Sequence, residues 1–489
     1  MDLINALKIE NNITTTENGA FAYTSTLNSN LDFFNNISSF RKNSSVCLKS
    51  FKKAFEEDKL LALKNLFYMR NIRGLGQGER EASKTIYKWL AKNYPSLLSL
   101  NIELIGEFGR IDDYYSLLDT QLEDKAFELL KNQIDRDLVS EHPSLTAKWL
   151  KSCNTSSKKS RRMGQITAKH FGMKEKEYRQ MLSNLRKKID VTEVKMCDND
   201  FGNIIYENVP SKAMLNYTNA FKSHDLKRFD EYINQVSQNK TKINSSTLYP
   251  YEILEKYDLR RKNTFYAPKT FNQVLECQWE ALPKYVTDCS STLVVADTSN
   301  SMRGKPLDVA LSLAIYFARS NKGEWKDKMI TFSSKPHFID FAECTTLYDC
   351  LCKIPCINEN TNIVKVFDLI LNAAINNHVP AENMVKNIII ISDMQFDKFD
   401  TKRKNNVSFT NYIKEKYEKA GYEMPCLIYW NVCERSIPTV HALNSDNNVK
   451  LISGFSQSAF DSIIKSQAFN PEKVMLDILN SELFDKVRV

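Results

Sequence analysis

The chain has 489 residues, of which 42% are hydrophobic and 26% charged, and its formal net charge is +8. This length exceeds what one hydrophobic core usually organises, so we expect at least two domains. The composition excludes a disordered chain, and no apolar run reaches the ~18–20 residues of a membrane span. The N-terminus shows no secretory signal pattern, which predicts a cytoplasmic protein whose 11 cysteines are reduced.

Three regions follow one another along the chain. Residues 1–44 are rich in Asn, Thr and Ser, which predicts an extended or partly ordered segment. Residues 45–285 show successive helical periodicities and almost no alternating β-branched runs, which predicts an all-α helical-repeat domain of the HEAT-like type, a ring or an arc. Residues 286–489 alternate strand and helix patterns, which predicts a doubly wound α/β domain with a parallel sheet.

The C-terminal region carries the clearest element pattern. Its apolar runs predict strands at 291–297, 326–333, 337–341, 387–393, 425–431 and 449–453. Its amphipathic segments predict helices at 305–321, 345–353, 362–377, 408–420, 456–466 and 471–484. In such sheets ligands bind beyond the carboxyl ends of the strands, so side chains that follow these strands are candidate ligands.

Oxygen-bearing side chains stand at these strand ends. Asp297, Ser299 and Ser301 follow the first strand on alternating positions, and Asp393 ends a later strand. Thr361 adds a hydroxyl ahead of a helix. Carboxylates and hydroxyls are the hard ligands of Mg²⁺, so the set predicts a divalent-cation site. The alternative is a set of turn residues that satisfy their own backbone, which is what Asp and Ser usually do in loops.

This order of ligands resembles the metal-ion-dependent adhesion site of von Willebrand factor A domains. The resemblance implies that Asp297, Ser299, Ser301, Thr361 and Asp393 are direct or water-mediated ligands of Mg²⁺ or another divalent cation. Asn300 and Asn360 stand where that family often has glycine. The resemblance also implies an open coordination position for a carboxylate of a protein partner, which an acidic residue of the N-terminal helices would alternatively fill.

A basic stretch is the second candidate site. Acidic residues are few within it, with Glu175 and Glu177 the only ones before Asp190. Exposed Lys and Arg attract nucleic-acid phosphates without selecting a sequence, whereas the alternative is an ordinary solvated helix face. The candidate RNA-binding residues are Lys158, Lys159, Arg161, Arg162, Lys169, Arg186, Lys187 and Lys188.

Short motifs in order along the chain resemble a wider family. They lie at 71–81 (Asn-Ile-Arg-Gly-Leu-Gly-Gln-Gly-Glu-Arg-Glu), 107–113 (Glu-Phe-Gly-Arg-Ile-Asp-Asp), 147–150, 209–214 and 392–397. Together they are similar to a poorly characterised family related to the Ro ribonucleoprotein, or TROVE, proteins. The resemblance implies helical repeats closed by an A domain, and binding of structured or single-stranded noncoding RNA. It implies no individual RNA-contact residue.

Other motifs favour structural roles. The glycines between Arg73 and Gly78 follow a helix rather than a strand, so a turn is favoured over a phosphate loop. Arg110, Asp112 and Asp113 are interpreted as an ion-pair hub between helices. A cysteine cluster at 350, 352 and 356 lacks paired Cys-x-x-Cys halves, which favours a helix end over a zinc site.

The function predicted from these patterns is non-enzymatic. The six histidines form no metal-ligand pair, and no nucleophile–base set is visible. We therefore expect a monomeric RNA-binding protein with a metal-binding A domain and no membrane association. The alternatives are a metal-dependent protein-interaction scaffold and a structural component of a larger particle.

Overall fold

The structure is a computed structural model of the whole chain. It describes residues 2–489 except 74–75, 258–259, 262–263, 266–267, 269, 287–288, 290, 333–334, 356–361, 399–407, 435–438, 461–462, 464–465 and 467–469. Thr361, and the third cysteine of the 350–356 cluster, lie outside the described residues.

Ten strands are described. They are β1 (Ile13–Thr15), β2 (Phe21–Tyr23), β3 (Arg260–Arg261), β4 (Thr264–Phe265), β5 (Thr292–Asp297), β6 (Lys328–Phe332), β7 (His337–Asp340), β8 (Asn387–Ser392), β9 (Cys426–Asn431) and β10 (Val449–Ser453).

The α-helices are distributed along the whole chain. They are α1 (Leu3–Asn12), α2 (Ser29–Asn35), α3 (Ser44–Glu57), α4 (Lys59–Arg70), α5 (Glu81–Asn93), α6 (Pro95–Leu100), α7 (Ile102–Phe108), α8 (Glu123–Val139), α9 (Thr146–Trp149), α10 (Lys158–His170), α11 (Glu175–Lys188), α12 (Thr192–Cys197), α13 (Ser211–Ser237), α14 (Pro250–Leu254), α15 (Gln273–Glu280), α16 (Lys305–Ser320), α17 (Leu347–Lys353), α18 (Val364–Asn376), α19 (Phe409–Lys419) and α20 (Pro471–Leu479). Short 3₁₀ helices lie at Ile37–Phe40, Ile111–Leu117, Phe201–Asn203, Tyr206–Asn208, Glu255–Tyr257, Asn300–Met302, Gly323–Trp325, Ala381–Asn383 and Glu482–Phe484.

The chain forms two compact units, and each is discontinuous in sequence. The first, the α/β unit, contains Met1–Asn65 and Ser245–Asp485. The second, the helical unit, contains Leu66–Asn244 and Lys486–Val489. These limits differ from the predicted division at residues 44 and 285, because the N-terminal segment and the segment after residue 244 pack with the strands rather than with the helices.

A six-stranded sheet lies at the centre of the α/β unit, in the order β10-β9-β8-β5-β6-β7. Five strands are parallel, and the edge strand β7 pairs antiparallel with β6. The prediction of a parallel sheet is therefore wrong at β7, because β6 ends at Phe332 and β7 begins at His337, whereas a parallel pair needs a long crossover. The other predicted strands are confirmed, with ends within two residues of those observed.

Apolar side chains cover both faces of this sheet. On one face, Val295 and Ile390 join a core cluster with Phe367 of α18 and Ile413 of α19. Because successive strand residues point to opposite faces, the neighbouring buried residues point the other way, where α16 contacts β5, β6 and β8. Central strands buried on both faces read as continuous apolar runs, which is why β5 and β8 were predictable from sequence.

The N-terminal segment has more regular structure than its composition predicts. It contains α1, the hairpin β1–β2 and α2, and it packs as part of the α/β unit. Asn431 donates its amide to the carbonyl of Asn35 at 3.0 Å, and Ser453 donates to the carbonyl of Phe34 at 3.1 Å. The expectation of an extended or partly ordered lead-in is therefore wrong for most of residues 1–44. A second two-stranded pair, β3–β4, also interrupts the region predicted to be entirely helical.

Buried ion pairs connect the helices of the helical unit. Arg70 is 1% exposed and binds the fully buried Asp113 through both Nε and Nη2 at 2.7 Å. Asp112 binds Arg110 at 2.8 Å and Lys151 at 3.1 Å. The predicted hub is thus confirmed as a structural feature, and it is more extensive than the three residues named from sequence.

Two further observations concern the described part of the chain. The ten cysteines that the structure describes form no disulfide with one another, and eight of them are buried. Among the described residues, no helix combines the length and hydrophobicity that crossing a bilayer requires.

Candidate cation site and basic surface

Asp297 and Ser392 lie side by side at the carboxyl end of the sheet. Each is the last residue of its strand, β5 or β8, and these strands are parallel neighbours. The strand that follows β5 in sequence, β6, lies on its other side, so the order of connection reverses between β5 and β8. A reversal of this kind opens a crevice where ligands of doubly wound sheets bind.

Hydrogen bonds fix the orientation of the Asp297 carboxylate. Its Oδ1 accepts from the backbone N–H of Ser299 at 2.9 Å, and its Oδ2 accepts from the Ser392 hydroxyl at 2.6 Å. The hydroxyls of Ser299 and Ser301 lie 3.0 Å apart and share a hydrogen bond. Three of the predicted ligands are thus held in one compact loop.

Asp393 is placed beside this loop by its backbone. Its N–H donates to the sulfur of Met302 at 3.2 Å, and its Oδ1 accepts from the N–H of Gln395 at the same distance. Asp393 is 6% exposed and Asp297 is fully buried. The structure therefore brings Asp297, Ser299, Ser301 and Asp393 into one region, as the sequence predicts.

The electrostatics of this region disfavour two bare negative charges. Burial raises the pKa of Asp297 to about 7, and the charge of Asp393 acts in the same direction. Hydrogen bonds from Ser392 and Ser299 oppose the rise, because they stabilise the ionised carboxylate. A divalent cation between the Asp297 and Asp393 carboxylates would offset their mutual repulsion.

The donor set fits a small hard cation. Two carboxylates and two hydroxyls supply oxygen atoms only, the ligands that Mg²⁺ prefers alongside water. Asn362, next to the predicted ligand Thr361, has a buried Oδ1 with no hydrogen-bond partner among the described residues. No group of three or more His, Cys, Asp or Glu side chains converges in the described part of the chain, so a soft or carboxylate-only metal centre has no support there.

The basic residues of the second candidate site lie on α10 and α11. Lys158, Lys159, Arg161, Arg162, Lys169, Lys187 and Lys188 are exposed. Within the regions that the structure describes, none of these seven forms a close ion pair with a carboxylate. The two helices pack on the same segment: a Cβ on Gly164 of α10 would lie 2.8 Å from the carbonyl of Lys151, and Tyr178 of α11 donates to that carbonyl at 2.9 Å.

Arg186 differs from the other predicted RNA-binding residues. Its guanidinium donates to the carbonyls of Ala147 and Leu150 at 2.9 and 2.8 Å. It also donates to the hydroxyl of Ser152 at 2.9 Å. These three bonds use its nitrogens to hold α9 and the residues that follow it, so Arg186 has a structural role in this unit.

Comparisons with known proteins relate the chain to two domain families. A family model described as a domain of unknown function, DUF2828, matches residues 16–177 and 147–292, which together span more than half of the chain. The chain belongs to the DUF2828 family. A second model, the domain of unknown function DUF7788, matches residues 286–485 of this DUF2828 protein.

A viral protein is similar to this DUF2828 protein over nearly its whole length. It is the uncharacterized protein L728 of Acanthamoeba polyphaga mimivirus. The two are 27% identical over an alignment of 520 residues, which covers 97% of this chain and 89% of the relative. The alignment therefore extends over both the helical and the α/β regions of this chain.

Several residues of the DUF2828 protein contribute to the candidate cation site without having been predicted from sequence. Ser392 directly precedes Asp393 and ends a strand, a position from which its hydroxyl reaches the neighbouring strand. Met302 and Gln395 act through a sulfur and a backbone N–H, and such contacts leave no signal in a list of candidate ligands.

Proposed function

We propose that this protein is a non-enzymatic, cytoplasmic RNA-binding protein that contacts phosphates through α10 and α11. We further propose that its α/β unit is a von Willebrand A-type domain that holds Mg²⁺, or another divalent cation, at Asp297, Ser299, Ser301 and Asp393. The resemblance of the chain to that family adds Thr361 to this ligand set.

The first turn of α10 is the observation that carries the RNA proposal. It contains Lys158, Lys159 and Arg161 and no acidic residue, and Ser157 caps it by accepting from the N–H of Ser160. The N-terminus of a helix carries partial positive charge, so cations there destabilise the helix. Residues that destabilise a helix in this way are expected at functional sites. The N–H groups of a helix's first turn have no partner within the helix, and together with nearby cations they suit a phosphate.

The cation proposal is supported by the sheet topology. Asp297 ends β5, which with β8 forms the centre of the sheet, and the strand order reverses between these two strands. In this position a cation would have two buried carboxylates and two hydroxyls available as ligands. The ion would also offer a coordination position to a partner's carboxylate, which favours a protein-interaction scaffold as the second candidate function.

Charge reversal at the start of α10 tests the RNA proposal. We expect the quadruple variant Lys158→Glu, Lys159→Glu, Arg161→Glu and Arg162→Glu to weaken binding of single-stranded RNA. The slope of log affinity against log salt concentration should also become less steep by about 3, because each of the four lost phosphate contacts removes ~0.7 from it. Fluorescence anisotropy at several salt concentrations measures both quantities.

A matched control is available in the same unit. Lys222, Lys227, Lys240 and Lys242 are also exposed, and their reversal to Glu changes the net charge by the same amount. We expect this control to retain most of the affinity. If both quadruple variants bind RNA as the unmodified protein does, the RNA proposal fails and the interaction scaffold becomes the better reading.

A further inference from the structure

The loop that joins β1 to β2 packs directly on the segment that follows Asp393. Thr16 donates its hydroxyl to the carbonyl of Phe396 at 2.7 Å. The N–H of Glu17 donates to the Gln395 side chain at 2.9 Å, and Asn18 donates its side-chain amide to the Gln395 carbonyl at 2.8 Å. These bonds hold both the side chain and the backbone of Gln395.

Further backbone contacts extend the same interaction. Gly19 forms an antiparallel bridge with Asp397, and the N–H of Lys398 donates to the carbonyl of Asn18 at 3.2 Å. Gly19 has φ +82°, a left-handed conformation that glycine adopts without strain and that lets the loop lie flat on its partner. The loop therefore contacts every residue from 395 to 398.

Gln395 connects this interaction to the candidate cation site. Its N–H donates to the Asp393 carboxylate, so the position of Gln395 helps to set where that carboxylate points. Between them, Met394 has φ +66°, a left-handed conformation that costs free energy for a non-glycine residue. Such a conformation persists only where surrounding contacts hold it, and the hairpin loop supplies those contacts on one side.

The hairpin also contacts the Asp393 segment indirectly, through Val440 and His441. Tyr23 of β2 and Val440 exchange two backbone hydrogen bonds, at 2.8 and 2.9 Å. The next residue, His441, is buried and lies 2.9 Å from the Met394 carbonyl through Nε2. Because a carbonyl only accepts, Nε2 carries the proton. The hairpin thus holds Met394 indirectly through His441 and Gln395 directly.

We propose that Thr16 is a positioning residue for Asp393, and that the N-terminal hairpin sets the affinity of the cation site. This inference rests on the proposed cation site. Thr16 is 4% exposed, and its hydroxyl both donates to Phe396 and accepts from the N–H of Ala20 at 2.9 Å. Removing that hydroxyl takes away the bonds to Phe396 and Ala20, which loosens the loop against residues 395–398 and weakens the restraint on the Asp393 carboxylate.

Two substitutions at Thr16 in the full-length protein test the proposal. Residues that support metal ligands from outside typically change metal affinity 10–100-fold, so we expect Thr16→Val to weaken Mg²⁺ binding by about tenfold or more. Thr16→Ser keeps the hydroxyl and should bind Mg²⁺ within about twofold of the unmodified protein. Isothermal titration calorimetry with MgCl₂ measures the affinity, and thermal unfolding without metal measures stability.

Control variants separate positioning from general destabilisation. Thr331 is fully buried, and its hydroxyl has no hydrogen-bond partner among the described residues, so Thr331→Val makes the same chemical change without removing a bond to the loop. We expect its Mg²⁺ affinity to stay unchanged. Should Thr16→Val fail to fold, Asn18→Ala removes one bond from an exposed residue, and a loss of about threefold or more in affinity is expected.

The outcomes distinguish the two proposals. Equal Mg²⁺ affinity of the Val and Ser variants, or an unchanged affinity of Asn18→Ala where Thr16→Val does not fold, overturns the positioning role and leaves the cation site intact. If the unmodified protein and Asp297→Ala give the same titration, the cation site itself fails and the positioning proposal fails with it. Weaker binding by Thr16→Val alone supports both.

Discussion

The affinity of the proposed cation site for Mg²⁺ is expected to fall steeply with acidification near neutral pH. Asp297 is the group responsible, because burial raises its pKa to about 7. In the metal-free protein the folded carboxyl keeps a proton that the unfolded chain releases above its ordinary pKa of 3.8. The contribution of Asp297 to the free energy of unfolding is therefore present at low pH and is lost as the pH rises toward about 7. Cation binding to the ionised carboxylate should restore it.

The size of the effect follows from that pKa. At pH 8 about nine in ten Asp297 carboxyls are ionised, and at pH 6 about one in ten are. A proton and a cation compete for the same oxygens, so the apparent Mg²⁺ affinity should be about tenfold weaker at pH 6 than at pH 8, or ~1.4 kcal/mol. Binding at pH 7 should release about half a proton per ion.

Calorimetric titration at pH 6, 7 and 8 measures this dependence. Repeating the pH 7 titration in two buffers with different ionisation enthalpies gives the number of protons released. Asp297→Asn serves as the control, since it keeps the shape of the side chain and should abolish binding at every pH. An affinity that is constant between pH 6 and 8, or stronger at pH 6, would refute the assignment of Asp297 as a buried ligand.

Two further predictions concern stability. Burial lowers the pKa of His441 to about 4, so between pH 7.5 and pH 5 the unfolded state takes up a proton that the folded state does not. Over this range the free energy of unfolding, measured in urea, should fall by about 2 kcal/mol more for the unmodified protein than for His441→Gln. An equal dependence on pH in the two proteins would contradict this. Asp113→Asn leaves Arg70 buried without its ionised partner and should lower the free energy of unfolding by about 3–5 kcal/mol. The matched control Glu81→Gln, at a side chain 67% exposed, should change it by less than ~1 kcal/mol, and a similar small change for Asp113→Asn would show that the pair contributes little.

The α/β unit illustrates what a sequence can predict. β5 and β8 are continuous apolar runs that end in polar residues, and such runs specify both a buried strand and its end. Once two strands are parallel neighbours, Asp297 and Asp393 must lie at the same edge. The grouping of the predicted ligands follows from these two facts, without knowledge of any loop conformation.

The N-terminal hairpin was missed for physical reasons. β1 and β2 have three residues each, too few for an alternation of polar and apolar residues to be detected. Their stability comes from partners near residues 395–398 and 440, and a contact over that distance leaves no local pattern. The order of residues 13–23 is thus a tertiary effect rather than a local one.

Arg186 shows how a charge run can mislead. In α11 the residues Tyr178, Met181, Leu182 and Leu185 are buried, and Arg186 follows Leu182 by one helical turn. Its side chain therefore lies beside the buried stripe, although its neighbours Lys187 and Lys188 are exposed. Helical periodicity contained this signal, and the interpretation of the run by charge alone ignored it.

The order in which the ribosome makes the chain gives the hairpin contact a further consequence. Thr16 and Phe396 are 380 residues apart, so at ~5–20 residues per second Thr16 is made about 20–75 s before its partner. During that interval the first 65 residues lack the complete sheet on which they pack, because β9 and β10 follow Phe396 in the chain. A fragment that begins at residue 286 would contain every strand of the six-stranded sheet and still lack the element that closes its carboxyl end.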